Sequence, residues 1–309
     1  MVAAKTARIP GPRNRPTLIK RTPGERAFDA LNIAFMVVLC AVTMYPMYYV
    51  VCAAFSSNVE LLMHPGFLPR PLGFNVGAFR LALKHPLLLS GYKNIMIILG
   101  LSLPINIILT LLCGYFLSAK DVLFKKPILA AIMFTMFFNA GMIPNYLNVR
   151  SLGLYNSLWS LILPGAMSVY NSIICKTAME ALPDSLHESA RLDGANDLVI
   201  LFRIVLPLIM PTVAVLLLYY GVSHWNAWFN ATLYISEDKK LPIQNILRAV
   251  LIQNSSIFNS AVTENDRINE FAETIKYSAI VITTVPVLAI YPFLQKYFVK
   301  GVMIGAVKG

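Results

Sequence analysis

Residues 187–191, His-Glu-Ser-Ala-Arg, begin as a zinc-peptidase helix begins. In the pattern H-E-x-x-H, two histidines one helical turn apart hold the metal and the glutamate works as a general base. His187 and Glu188 fill the first two places, but the residue four beyond His187 is Arg191, a permanent cation that cannot ligate a metal and repels one. The remaining histidines, His64, His85 and His224, have no His, Cys or carboxylate partner at ligand spacing. No G-x-S-x-G occurs, and no G-x-x-x-x-G-K-[ST] loop that would cradle nucleotide phosphates. The chemistry of residues 187–207 therefore has to be sought in what positions them.

The 309-residue chain is 57% hydrophobic and only 13% charged, with a mean hydropathy of +0.64, which fits a membrane protein. A helix needs about 20 mostly apolar residues to cross the hydrocarbon core. Six stretches approach this: 31–54, 94–118, 127–147, 157–179, 204–224 and 275–298. The third and fourth contain Asn139, Pro144, Pro164 and Asn171, which neighbouring helices can accommodate. Cys40, Cys52, Cys113 and Cys175 fall within or beside these stretches and read as small hydrophobes, with no disulfide framework. No carboxylate sits in the middle of any stretch, which weighs against an ion-coupled carrier and against a membrane-embedded hydrolase.

Net charge is +11, yet the basic residues are spread around the apolar stretches, which argues for membrane topology and against nucleic acid. With the N-terminus inside, sixteen of the 26 Lys and Arg residues fall on inner segments, so both termini are expected in the cytoplasm. Residues 1–26 read as a basic flexible tail, residues 27–309 as one transmembrane domain, and residues 56–93 and 225–274 as its long outer loops.

Between the fourth and fifth stretches, residues 180–204 exceed what a tight inner turn needs. Ser185 and Glu188 form an S-x-x-E capping pattern that predicts a short helix from Ser185 to Gly194. Asn196 or Asp197 then caps a second one running toward Pro207. Two short helices across the membrane surface can receive a push and pass it to the fourth and fifth stretches; an amphipathic hairpin resting on lipid headgroups has the same outline.

Glu188-Ser189-Ala190, three residues, Gly194, nine residues, Ile204, one residue and Leu206-Pro207 is similar to the E-A-A-x3-G-x9-I-x-L-P loop of permease subunits of binding-protein-dependent ABC importers. Ser189 in place of the middle alanine is the one departure, small for small. FNAGMIPNYLNVRSLGLYNSLWSLILPGAMSVYN (138–171) resembles sugar-importer permeases associated with uronic-acid oligosaccharides such as alginate, aldouronate or pectic fragments. KYFVKGVMIGAVKG (296–309) resembles the tail of the maltose-type second permease. The resemblance implies an all-α, polytopic fold of six transmembrane helices, the type I importer permease fold. It places Glu188, Ser189, Ala190, Arg191, Asp193, Gly194, Ile204 and Pro207 in the loop that docks on an ATPase, and Lys300, Gly301, Lys308 and Gly309 in a tail (299–309) reaching the ATPase dimer interface. It implies no catalysis and no cofactor in this chain, with ATP and Mg on the ATPase subunits. A second homologous permease, an ATPase homodimer, an extracytoplasmic solute-binding protein and membrane lipid are the implied partners.

Sugars offer C–H faces that stack on aromatic rings and hydroxyls that bond amides. Trp225, Asn226, Trp228 and Asn230 in SHWNAWFN can line a saccharide entrance or form an interfacial aromatic belt. Asn139, Asn145, Tyr170 and Asn171 are further pathway candidates, with interhelical hydrogen bonding as the alternative. Arg70, Arg80, Lys84 and Lys93 outnumber Glu60 in the first outer loop, which suits an acidic oligosaccharide; a neutral oligosaccharide is the alternative substrate.

Overall fold

The computed structural model describes residues 22–120, 122–253 and 273–306, and all its regular elements are helices. Residues 1–48 and 49–309 are two units. In the first, helix α1 (Pro23–Ala54) starts ahead of the expected Leu31 because Thr22, Pro23 and Glu25 make a good helix start. The Glu25 amide donates to Thr22 Oγ1 at 3.3 Å, and the Thr22 amide donates to Glu25 Oε2 at 2.7 Å, a reciprocal capping box with proline at the first helical position. Phe28, Leu31, Phe35, Val38 and Met44 are exposed, the pattern of a helix apolar on every side.

The second unit is organised on α4 (Pro86–Ser118). His85 caps it, Nδ1 accepting from the Leu87 amide at 3.2 Å, so the helix begins before the expected Asn94. Its buried residues include Asn94, Ile95, Ile98, Ser102, Asn106, Thr110, Gly114 and Leu117, spaced three and four apart along one face. Helix α8 (Val169–Glu180) crosses that face where Gly114 lets the backbones meet; a Cβ there would stand 3.0 Å from Cys175 Cβ.

Three expected continuous stretches are interrupted. Helix α5 (Lys125–Phe137) gives way to α6 (Met142–Ser151) at 111°, with Gly141 at φ +94°. The Asn139 side-chain oxygen accepts from the Gly141 amide at 2.9 Å and from Asn145 Nδ2 at 3.3 Å, fixing this corner. Helix α7 (Trp159–Ile162) is separated from α8 by the segment containing Pro164 and Gly165. The run Asp197–Leu208 comprises α10 (Asp197–Val199), a π-helical stretch (Ile200–Val205) and α11 (Leu206–Leu208). It meets α12 (Met210–Asn226) at 87°, where Pro207 and Pro211 withhold two backbone donors. Among the described residues α1 and α4 are each long and apolar enough to cross a membrane, and the two bent pairs bring the number to four if each is one broken span. The last helix, α15 (Thr274–Ala306), contains Pro286 and Pro292, and its Thr274–Ile290 part is a shorter apolar helix.

Helices α2 (Asn58–Met63) and α3 (Gly77–Lys84) fill the loop between α1 and α4. Helices α13 (Phe229–Tyr234) and α14 (Ile243–Gln253) fill much of the loop between α12 and α15.

Candidate functional site

The hairpin of residues 184–208 has the helix, elbow, helix form its sequence predicts, with a different start. Helix α9 (Asp184–Leu192) has Pro183 at its N-cap and no side-chain cap bond, so Ser185 and Glu188 do not form the expected capping box. Proline φ already suits the entry, and the helix begins one residue early. Glu188 is consequently left as an exposed carboxylate, with Ser189, Arg191 and Asp193 also exposed.

At the other end Gly194 takes φ +78°. Its amide donates to the Arg191 carbonyl at 3.0 Å, and the Ala195 amide donates to the Ala190 carbonyl at 3.0 Å. This pair of bonds is a Schellman motif. Of the two expected caps, Asn196 serves: its side-chain oxygen accepts from the Val199 amide at 2.9 Å. Asp197 is thereby released to accept from the Tyr115 hydroxyl at 3.1 Å and to pair with Arg191 at 3.5 Å. His187 lies beside the Tyr115 ring, centroids 6.1 Å apart.

The inner face of the hairpin is not a surface at all. Ala190, Ile200, Leu201 and Val205 are buried in one cluster with Leu111 of α4, Cys175 and Met179 of α8, and Val213 and Leu216 of α12, and Ile204 packs against it. A displacement of the hairpin must therefore move these helices or open voids among close-packed side chains. Pro207 is exposed beside this cluster at the bend into α12. Lys300 and Gly301 lie in the backbone of α15, and Lys308 and Gly309 fall outside the described residues.

A cavity of about 760 Å³ opens where the α7–α8 break faces α12. Tyr170, Asn171 and Asn230, expected on the substrate path, line it together with Ser168, Tyr219, Tyr220, Ser223 and His224. The other expected residues lie elsewhere. Trp225 is buried with Leu87, Leu88, Ile95, Ile243 and Ile246. Trp228 has Arg248 over its ring at 3.6 Å and Phe229 against its edge, which occupies a face that a sugar would need. Asn226 is exposed at the end of α12, and Asn139 and Asn145 are joined at the α5–α6 corner.

Buried polar groups hold the break in place. Asn106 Nδ2 donates to the carbonyls of Gly165 and Ala166, each at 3.0 Å, and Asn106 Oδ1 lies 3.2 Å from His224 Nε2. The Tyr220 hydroxyl is 2.8 Å from Thr110 Oγ1 and accepts from the Ser168 amide at 2.9 Å. Non-helical backbone is tolerated at membrane depth where protein satisfies its polar groups, as it does here. Asn106, Thr110 and Tyr220 were not singled out from the sequence, and His224 was weighed only as a metal ligand, although Asn106 and Thr110, and Tyr220 and His224, stand four apart within apolar runs.

Outside the apolar segments, Asn156 adopts φ +56° and ties two loops together. Its side chain donates to Glu237 at 2.6 Å and accepts from the Ser236 and Glu237 amides, each at 3.2 Å. Lys240 donates to Glu237 at 2.9 Å and to the Asn156 carbonyl at 3.1 Å. The Lys240 and Asn156 hydrogen bonds hold the Glu237 carboxyl below its ordinary pKa.

The sequence and the fold both have counterparts among known proteins. The chain is 37% identical over 287 residues to the polygalacturonan/rhamnogalacturonan transport system permease protein YtcP of Bacillus subtilis (strain 168), across 92% of this chain and 99% of that one. It is 37% identical over 288 residues to Protein LplC of the same organism, across 93% and 97% of the two chains. Among solved structures, it is similar to a chain of a bacterial ABC transporter involved in the import of the acidic polysaccharide alginate. That likeness has a TM-score of 0.82 and 28% identity, and covers 90% of this chain and 99% of that chain. Residues 75–304 match the binding-protein-dependent transport system inner membrane component family. The chain belongs to that family, as a non-catalytic permease subunit of an ABC transporter.

Proposed function

We infer that the chain is one of two different transmembrane subunits of an ATP-driven importer of acidic oligosaccharides, working by alternating access. The observation that carries this reading is the shared core in which Ala190, Ile200, Leu201 and Val205 of the hairpin are packed with α4, α8 and α12. A push delivered to the exposed Glu188, Arg191 and Asp193 side reaches the helices that wall the cavity without passing through a flexible joint.

In this reading ATP and Mg bind a separate ATPase dimer, which docks on residues 185–204 and meets the C-terminal tail. A second homologous permease completes the pathway, a solute-binding protein delivers substrate from outside, and the chain makes six crossings with both termini in the cytoplasm. Polyuronide substrates are supported by the YtcP and alginate-transporter likenesses. The cavity wall of hydroxyls and amides supports a saccharide of either charge.

Reconstitution with the ATPase, the second permease and the binding protein tests the reading. Galacturonate or alginate oligosaccharides should stimulate ATP hydrolysis and accumulate inside vesicles; stimulation by neutral oligosaccharides alone would transfer the assignment to the neutral class.

A further inference from the structure

The cavity presents a chemical problem for an acidic cargo. Among its lining residues there is no Lys or Arg to meet a carboxylate, and the titratable groups are three phenols, Tyr170, Tyr219 and Tyr220, and one imidazole, His224. Phenols are uncharged near neutral pH. Among the described side chains, the charged residues of helices packed on α12, which are Lys93 on α4, Lys176 and Glu180 on α8, and Lys276 on α15, are not in that lining. Lys176 is paired with Glu180 at 2.6 Å, and Lys276 with Glu273 at 2.8 Å. His224 is thus the group in the wall that a bound carboxylate can convert to a cation.

Its neighbours determine which nitrogen is available. The carbonyls of Gly165 and Ala166 can only accept, so the Asn106 atom facing them is the amide nitrogen, and Asn106 Oδ1 is left as an acceptor. His224 Nε2, 3.2 Å from that oxygen, must therefore carry a hydrogen. Nδ1 is left with no protein partner among the described residues. In the neutral ring Nδ1 accepts a hydrogen bond from a sugar hydroxyl; once protonated it donates one to a carboxylate, and such a charge-assisted bond is roughly twice as strong.

We propose that His224, oriented by Asn106, is the residue through which this cavity recognises the carboxylate of a uronate unit, taking up a proton at Nδ1 as it does so. The proposal rests on the acidic-oligosaccharide reading and gives the site its selectivity. A carboxylate favours the imidazolium, and the imidazolium favours a carboxylate, so substrate affinity and protonation are linked. The bound proton stays on the ring while the uronate is held and leaves when it departs, so no net chemistry occurs.

The test uses the full importer in vesicles, with galacturonate oligosaccharide and its methyl ester of equal length as probes. The same binding protein serves every sample, so its own preference cancels in comparisons between variants. In the wild type the acid-to-ester uptake ratio should fall by about tenfold between pH 6 and pH 8, and in His224→Gln that dependence should shrink to within about twofold. An unchanged ratio and pH profile in the variant overturns the proposal while leaving the transport assignment intact. Failure of the wild type to import either probe overturns both. Should His224→Gln not assemble, histidine NMR on the wild-type complex decides. Added galacturonate should raise the pH at which His224 titrates, and an unmoved titration rejects the proposal.

Discussion

Arg191 and Asp197 meet across the Gly194 elbow, guanidinium to carboxylate at 3.5 Å, so the two limbs of the hairpin are fastened on their exposed face as well as by the core beneath. The fastening is on the solvent side, with side chains 54% and 65% exposed, which limits it to about 0.2–1 kcal/mol. Its place in the structure matters more than its strength: it restrains the angle at which a push on α9 reaches α10.

Asp197→Asn tests this restraint. The Val199 amide keeps its cap because Asn196 supplies it, so the second limb should still form. Thermal stability of the purified complex should change by less than about 1 kcal/mol, and a cycle with Arg191→Gln should give a coupling of about 0.2–1 kcal/mol. A coupling several times larger would mean that solvent screens the pair far less than its exposure implies.

Gly194→Pro is expected to separate ATP hydrolysis from transport. Proline cannot adopt φ +78° and has no N–H for the Arg191 carbonyl, so both features of the elbow are lost while the buried cluster keeps its side chains. Gly194→Ala should give a milder defect: nothing lies within 4 Å of the added Cβ, and the left-handed backbone costs about 1–2 kcal/mol. Insertion and co-purification should persist in both, with uptake per ATP hydrolysed lowest in the proline variant. Full coupling in Gly194→Pro would remove the elbow from the mechanism.

The elbow was legible because its determinants are local: a glycine two residues past one helix end and an asparagine immediately before the next. The long apolar helices were legible in their composition, while their starts are set by the caps at Thr22 and His85, ahead of the apolar stretches. The breaks were not legible, since Asn139, Pro164 and Pro207 are compatible with a kinked continuous span, and what opens the chain at Gly165 is an amide on Asn106, 59 residues away. The aromatic stretch 223–230 illustrates the same limit. Trp225 and Trp228 have equal claims by type, and only the arrival of α14 buries one with Ile243 and Ile246 and sets Arg248 over the other.

Glu237 should titrate below an ordinary glutamate. Lys240 and Asn156 favour its charged form, so the stabilisation it gives the two loops it joins is present above its unfolded pKa and is lost as pH falls through the depressed folded value. Lys240→Met should move the titration up toward the ordinary range, and Asn156→Ala should do so less, in the order of the two hydrogen bonds' effects. Carboxyl NMR of labelled glutamate follows this directly, and equal titration in wild type and Lys240→Met would refute the assignment.

Asn106→Leu should be the most damaging of these changes, although it conserves volume. The substitution leaves the Gly165 and Ala166 carbonyls facing an apolar side chain at a fully buried position, and an orphaned buried polar group costs about 1–3 kcal/mol. Asn94→Leu is the fitting comparison, because Asn94 Nδ2 likewise donates to two carbonyls, those of Lys239 and Leu241 at 2.8 and 3.1 Å. The carbonyls are alike in exposure, Gly165 and Lys239 exposed and Ala166 and Leu241 half-buried, but Asn106→Leu also removes the Oδ1 acceptor that faces His224 Nε2. Thermal unfolding of the two purified complexes should therefore show the larger loss for Asn106→Leu. Equal losses would mean that the contact with His224 adds nothing, and that the break at 163–168 is held by its own proline and glycine instead of by α4.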